Sequence, residues 1–302
     1  MRLPAWKHPL LLLLAISLTA MLAFAACGDD DDEDVDDGDE GSPTATDSGL
    51  PQGDGPINID NVPELDDGVL TIGSDIVYAP IEYYIEGTET PDGLDIDIAK
   101  ALAEKLGVEV EFKQVANFAG IVGDLKASRY DIVMSAISVT PERQAEIDLV
   151  SYFGPVGTGI LTAPGNPEGF QALEDLCGHP VAAQDGTYQI DQMTALNKDA
   201  CKDNPIDIKA FPANPTAVQE LILGRVDAHL SDDPVAAYSA LQSEGDIELS
   251  ATGFEAAEYG IGVRKDSPDL QAVLERALAA IIADGTYAEI LEKWGQTEFG
   301  IE

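Results

Sequence analysis

Short β-branched runs alternate with amphipathic helical stretches from Val69 onward, and the same grammar starts over near Pro180. Strands joined through helices lie side by side only if they run parallel, so each series predicts an α/β unit with helices on the faces of its sheet. In the first series Val69-Leu70-Thr71-Ile72-Gly73 reads as a strand. Ile98, Ala99, Leu102, Ala103 and Leu106 then fall at helical spacing over 94–106, with Asp95 or Asp97 as a cap and Gly107 as a stop. Residues 108–112 alternate as a half-buried strand, 121–128 form a helix, 131–135 a buried strand and 141–147 a short helix. The second series places strands at 180–183, 206–210 and 226–230, and helices at 188–196, 217–223 and 234–241. A late strand at 259–264 and helices at 270–282 and 287–295, broken apart by Gly285, end the pattern. The fold class expected is α/β, two lobes in tandem with a mostly parallel sheet.

Charge narrows the function. The chain has 302 residues, with 56 Asp+Glu against 16 Lys+Arg and a net charge of −40. Phosphate contacts need clustered Lys and Arg, so this balance excludes ordinary nucleic-acid binding and argues against docking on anionic lipid through basic patches. The acid is uneven: ten of the twelve residues at 29–40 are Asp or Glu, while 41 acids and 14 bases from Asp67 onward still leave −27.

Arg2 and Lys7 precede an apolar run from Leu10 to Ala26, the n-region and h-region of a secretory signal. Phe24-Ala25-Ala26-Cys27 resembles the end of a lipoprotein signal, in which Cys27 becomes the lipidated first residue of the mature chain. A plain transmembrane anchor is the alternative. Either way the body is expected outside the cytoplasmic membrane, periplasmic or at the cell surface. Residues 27–66 read as a self-repelling, disordered acidic tether. Its acidic block lacks the spaced Asp/Asn-Gly-Glu pattern of a calcium loop, and no metal or cofactor is expected. With Cys27 taken by lipid, Cys177 and Cys201 form an even pair that reads as a disulfide in an oxidising compartment, against the alternative of two buried thiols.

Several runs together resemble the family-3 extracellular solute-binding proteins, the amino-acid receptors of ABC importers. They are Gly73-Ser74-Asp75-Ile76-Val77-Tyr78-Ala79-Pro80-Ile81-Glu82, Gly93-Leu94-Asp95-Ile96-Asp97-Ile98-Ala99, Asn117-Phe118-Ala119-Gly120-Ile121 and Met134-Ser135-Ala136-Ile137-Ser138-Val139-Thr140-Pro141-Glu142-Arg143. Asp185-Gly186-Thr187, Gly224-Arg225-Val226-Asp227-Ala228, Asp232-Asp233-Pro234-Val235-Ala236 and Ala283-Asp284-Gly285-Thr286-Tyr287 with Lys293-Trp294-Gly295 continue in the family's order. The resemblance implies a periplasmic-binding-protein-like fold: lobe 1 at 67–157 plus 255–302, lobe 2 at 158–254, two hinge crossovers, and a ligand cleft between the lobes. Gly154, Gly157, Gly159 and Gly253 suit the hinges.

A zwitterionic amino acid presents a carboxylate and an ammonium. Arg143, following the helix start Thr140-Pro141, is the candidate for the carboxylate, because a guanidinium offers two parallel bonds to it. Ala136, Ser138 and Thr187 would add donors. The resemblance places the ammonium's acid at Asp232, with Asp233 one residue away as its rival and Asp75 as a second acid from lobe 1; each also suits a helix N-cap. Tyr78 and Phe118 match the stacking positions, and Gln184 and Tyr188 the side-chain selectors. Glu82, if it reaches the pocket, favours a basic side chain. The resemblance thus implies a monomeric, membrane-anchored receptor that delivers a small amino acid or similar zwitterion to an ABC permease without chemistry.

Two rivals stand beside it. One is an enzyme on the same fold, such as an amino-acid or prephenate-type dehydratase. The chain shows neither HExxH nor Gly-x-Ser-x-Gly, and none of His8, His179 and His229 has an evident nucleophile or metal partner in sequence. The other is a ligand-sensing module, which would need a spanning helix and a signalling domain after the body.

Overall fold

The computed structural model describes residues 56–301. The expected signal segment, Cys27 and the tether up to residue 55 lie outside the described residues. The first lobe opens with β1 (Val69–Ser74) and a small antiparallel sheet of β2 (Val77–Tyr78), β3 (Glu82–Tyr84) and β4 (Pro91–Asp92). Then come α1 (Leu94–Leu106), β5 (Glu109–Gln114), α2 (Ile121–Lys126), β6 (Ile132–Val133) and α3 (Pro141–Glu146). A long strand, β7 (Asp148–Thr162), leads into the second lobe: β8 (Pro180–Gln184), α4 (Tyr188–Lys198), β9 (Asp207–Phe211), α5 (Asn214–Ile222), β10 (Ala228–Asp232) and α6 (Asp233–Gln242). A second long strand, β11 (Glu248–Val263), returns to the first lobe, which α7 (Pro268–Ala283) and α8 (Thr286–Trp294) complete.

The main sheet has the order β5-β1-β6-β11-β7-β10-β8-β9. Its two ends are parallel, as the alternation predicts: β1 pairs with β5 and β6, and β8 with β9 and β10. Its middle is not. β7 and β11 run antiparallel to each other along both lobes, with five register shifts between Leu249 and Gly260. The sequence pattern misses β7 and half of β11 because Gly154, Pro155, Gly157 and Gly253 read as turns. Their physical role is close approach: a Cβ on Gly157 would lie 2.6 Å from the Cα of Gly253.

Burial explains the helices. α1 presents Ile98, Leu102 and Leu106 to Leu70 and Ile72 of β1 and to Leu274 and Leu278 of α7, all within one core. Lobe 2 has its own core, built on Ile160, Leu176, Val181, Met193 and Leu230. Beside it Cys177 and Cys201 form the disulfide, with Cα atoms 5.2 Å apart.

Two expectations are corrected. The N-cap of α1 is Gly93, with no side-chain cap, and neither acid serves there. Asp95 is buried under the cleft, and Asp97 accepts from Lys293 Nζ at 2.5 Å and Trp294 Nε1 at 2.9 Å. The expected tether also reaches too far. Val62 and Leu65 are buried in the lobe-1 core, and Glu64 accepts from Arg264 Nη2 at 2.9 Å. Apolar residues in an otherwise polar segment fix its last stretch to the body.

Candidate ligand-binding cleft

The two lobes meet at a cleft whose walls nearly touch, leaving about 10 Å3 of free space between them. From the first lobe Asp75, Tyr78, Glu82, Phe118, Ser135, Ala136, Ser138 and Arg143 line it; from the second, Gln184, Thr187, Tyr188, Gln189 and Asp232. Ten of the eleven residues expected at the site therefore surround one space. Asp233 does not line it. Its carboxylate accepts from the Gly253 amide at 3.0 Å and so ties α6 to the hinge strand β11.

Arg143 sits in the first turn of α3, where Thr140 caps the helix by accepting from the Arg143 amide. Its guanidinium donates to the Ser138 carbonyl at 2.9 Å and, across the cleft, to the Gly186 carbonyl at 3.1 Å. Two of five N–H donors are thus engaged, and the rest remain for an anion. The charge lies 5.6 Å from the centre of the Phe118 ring. Burial lowers its pKa, while Asp191 and Asp232 raise it.

Asp232 ends β10, and its carboxylate is held on both oxygens. Oδ2 accepts from Tyr78 at 3.0 Å and Tyr259 at 2.8 Å, and Oδ1 accepts from Gln189 at 2.8 Å. Burial raises its pKa; the donors Tyr259, Gln189 and Tyr78, and the charge of Arg143, oppose that shift. Asp75 accepts from Gln114 at 2.9 Å and, from the opposite lobe, from Gln184 at 2.6 Å. Burial raises its pKa too.

The Thr187 hydroxyl donates to the Gln184 carbonyl at 2.7 Å, so its proton is spent within its own turn. The Ala136 amide donates to Asp95 at 3.0 Å, and Ala136 adopts a left-handed φ of 46°. A non-glycine residue held there stores strain, a feature that gathers at functional sites.

Glu82 lies inside the cleft wall, fully buried. Oε1 accepts from Ser135 at 2.7 Å, while Oε2 receives no donor. Asp95, buried in the same wall, accepts from the Tyr152 hydroxyl at 2.6 Å and from the Ala136 amide at 3.0 Å. Two neighbouring buried carboxyls resist ionising together. Burial, and then the Asp95 charge, push the Glu82 pKa well up, and burial pushes Asp95 to about 7, so the pair favours holding a proton.

Ser135, Gln189 and Tyr259 were not singled out in the sequence. Ser135 falls within the Met134–Arg143 run, and Gln189 lies two residues after Thr187 in the first turn of α4. Tyr259 carries no local signal, because its partner is 27 residues away in the chain.

A cleft between two α/β lobes, lined by a guanidinium and several buried carboxyls, defines a binding protein for a small polar solute. The model of the bacterial extracellular solute-binding proteins, family 3, matches residues 70–297, and the chain belongs to that family. The L-cystine-binding protein TcyJ of Escherichia coli (strain K12) is 26% identical over 227 residues, covering 75% of this chain and 82% of that protein. The arginine-binding protein ArgT of Corynebacterium glutamicum is 30% identical over 271 residues, covering 84% and 86%. Among solved structures, an ancestral arginine-binding protein bound to arginine superposes with a TM-score of 0.70 at 35% identity, covering 75% of this chain and 98% of its own. An ancestral amino-acid-binding protein described as a precursor of cyclohexadienyl dehydratase gives 0.66 at 33%, covering 76% and 96%.

Proposed function

We propose that this protein captures an amino acid outside the cytoplasmic membrane, closes its two lobes around it, and hands it unchanged to an ABC permease. Cys27 would carry the lipid anchor, and the receptor would act as a monomer. One observation carries the reading: a single cavity is lined by the Arg143 guanidinium and by the buried carboxylate of Asp232. Arg143 would take the ligand's carboxylate through parallel N–H bonds, and Asp232 its ammonium. Tyr78 and Phe118 would supply apolar walls.

The ligand's side chain is proposed to be cationic. After Arg143 and Asp232 have met the zwitterion, Asp75 remains as a further carboxyl on the wall, with Glu82 behind it. Relatives and structural neighbours named for arginine support that choice. A thermal-shift screen over the common amino acids and ornithine tests the proposal. A ligand at a hundred times its Kd adds about 2.7 kcal/mol of stability. Arginine, lysine or ornithine should give the largest shift; no shift from any amino acid would sink the reading.

An enzyme on this fold is the second reading, favoured by the buried Glu82 carboxyl lining the cavity, whose pKa burial raises, and by the dehydratase precursor among the structural neighbours. Product formation in the same mixtures would establish it.

A further inference from the structure

Tyr259 stands where the two walls of the cleft join. It is 1% exposed and lies on β11 between two register shifts against β7. Its ring packs against Phe153 at 5.4 Å and Tyr152 at 6.3 Å between centroids. Its backbone bridges Ser138. On either side the Val139 amide donates to the Glu258 carbonyl and the Gly260 amide to the Ile137 carbonyl, each at 2.8 Å. The main chain at 258–260 therefore fixes the segment whose Ser138 carbonyl holds Arg143.

The side chain reaches to the other lobe. A phenylalanine would satisfy the ring packing; the hydroxyl is spent on Asp232. An ionised carboxylate offers about four acceptor sites. Tyr259 and Tyr78 fill those on Oδ2, and Gln189 takes one on Oδ1. The open acceptor is then on Oδ1, and the two tyrosines determine which way it faces.

We infer that Tyr259 is a positioning residue for ligand recognition: it joins the Ser138–Arg143 segment to Asp232 and holds the open acceptor of that acid in place for an ammonium group. The inference rests on the reading of the cleft as an amino-acid site. It makes the hinge strand part of the recognition machinery, so that the ammonium acid is fully oriented only when the lobes are closed.

Tyr259→Phe removes one oxygen and keeps the ring. Wild type and variant are melted with an equimolar mixture of the twenty common L-amino acids, from pH 4 to 8, and the concentration giving half the maximal shift is read at each pH. The variant should need about tenfold more of the mixture. Its acid limb, where binding fails as Asp232 takes a proton, should move to higher pH, because losing a hydroxyl donor disfavours the ionised acid. Arg143, Tyr78 and Glu82 also face this carboxylate and are unchanged, so the displacement reports the lost bond. Equal midpoints and limbs would overturn the inference while leaving the amino-acid reading intact. Weaker binding with an unmoved limb, or failure of the variant to fold without ligand, would assign the hydroxyl to packing and also overturn it. No shift in the wild type would overturn the amino-acid reading and the inference with it.

Discussion

Arg143 Nη2 donates to the carbonyl of Gly186 at 3.1 Å, joining the first wall of the cleft to the second. Gln184 to Asp75 and Tyr78 to Asp232 are two more bonds across the same space. The groups proposed to receive a ligand are thus the groups that hold the lobes together. Binding and closure draw on the same donors, and loss of one should weaken both.

Arg143→Ala should abolish the ligand-induced thermal shift. Removing the charged partner of a buried carboxylate costs about 2–5 kcal/mol. Arg143→Lys should fail nearly as well, because an ammonium cannot form parallel bonds to the ligand and also reach Gly186. Calorimetry that finds either variant within threefold of wild type would place the carboxylate elsewhere.

Gly186→Ala should separate folding from closure. Gly186 has a φ of +76°, and a Cβ there would lie 2.4 Å from the Cα of Ala119 in the opposite lobe. The left-handed conformation costs a non-glycine residue roughly 1–2 kcal/mol, and the clash arises only when the lobes meet. The variant should fold, bind at least tenfold more weakly, and show a larger radius of gyration with ligand than wild type does in X-ray scattering. Unchanged affinity would mean that the lobes close with different contacts.

The sequence carried the lobes further than it carried the joint between them. α1 was legible to the residue because Ile98, Leu102 and Leu106 repeat at helical spacing and Gly107 stops it. β7 was illegible because the glycines that let two strands cross at a hinge look locally like turns. At the site, Arg143 and Asp232 stand beside helix starts with local signals, whereas the Tyr259–Asp232 and Ser135–Glu82 bonds exist only after folding. The choice between Asp232 and Asp233 could not be made from spacing. The folded chain separates them: the Gly253 amide donates to Asp233, and Asp232 lines the cleft.

Removing the Cys177–Cys201 disulfide should destabilise lobe 2. It joins residues 24 apart in the chain, and closing a loop of that size removes unfolded-state entropy worth about 3 kcal/mol. A Cys177→Ser, Cys201→Ser variant should unfold at lower denaturant concentration with little change in ligand affinity, since neither residue lines the cleft. An unchanged midpoint would refute the contribution.

The Glu82–Asp95 pair predicts a distinctive pH dependence. Most buried acids are stabilised as anions by partners, and their contribution is lost on acidification. Here the signs reverse. Burial first, and for Glu82 the neighbouring charge, raise both folded pKa values above the ordinary carboxylate range, with Asp95 at about 7. The native state therefore holds protons that the unfolded chain has released, and the pair's contribution falls as pH rises from about 4 through 7. Glu82→Gln imitates the uncharged acid: its oxygen can still accept from Ser135, and it removes the charge beside Asp95. The variant should be close to wild type near pH 4.5 and progressively more stable than wild type towards pH 8, measured as the difference in Tm across that range. A constant difference between the two melting curves would show that Glu82 carries no proton in the folded protein.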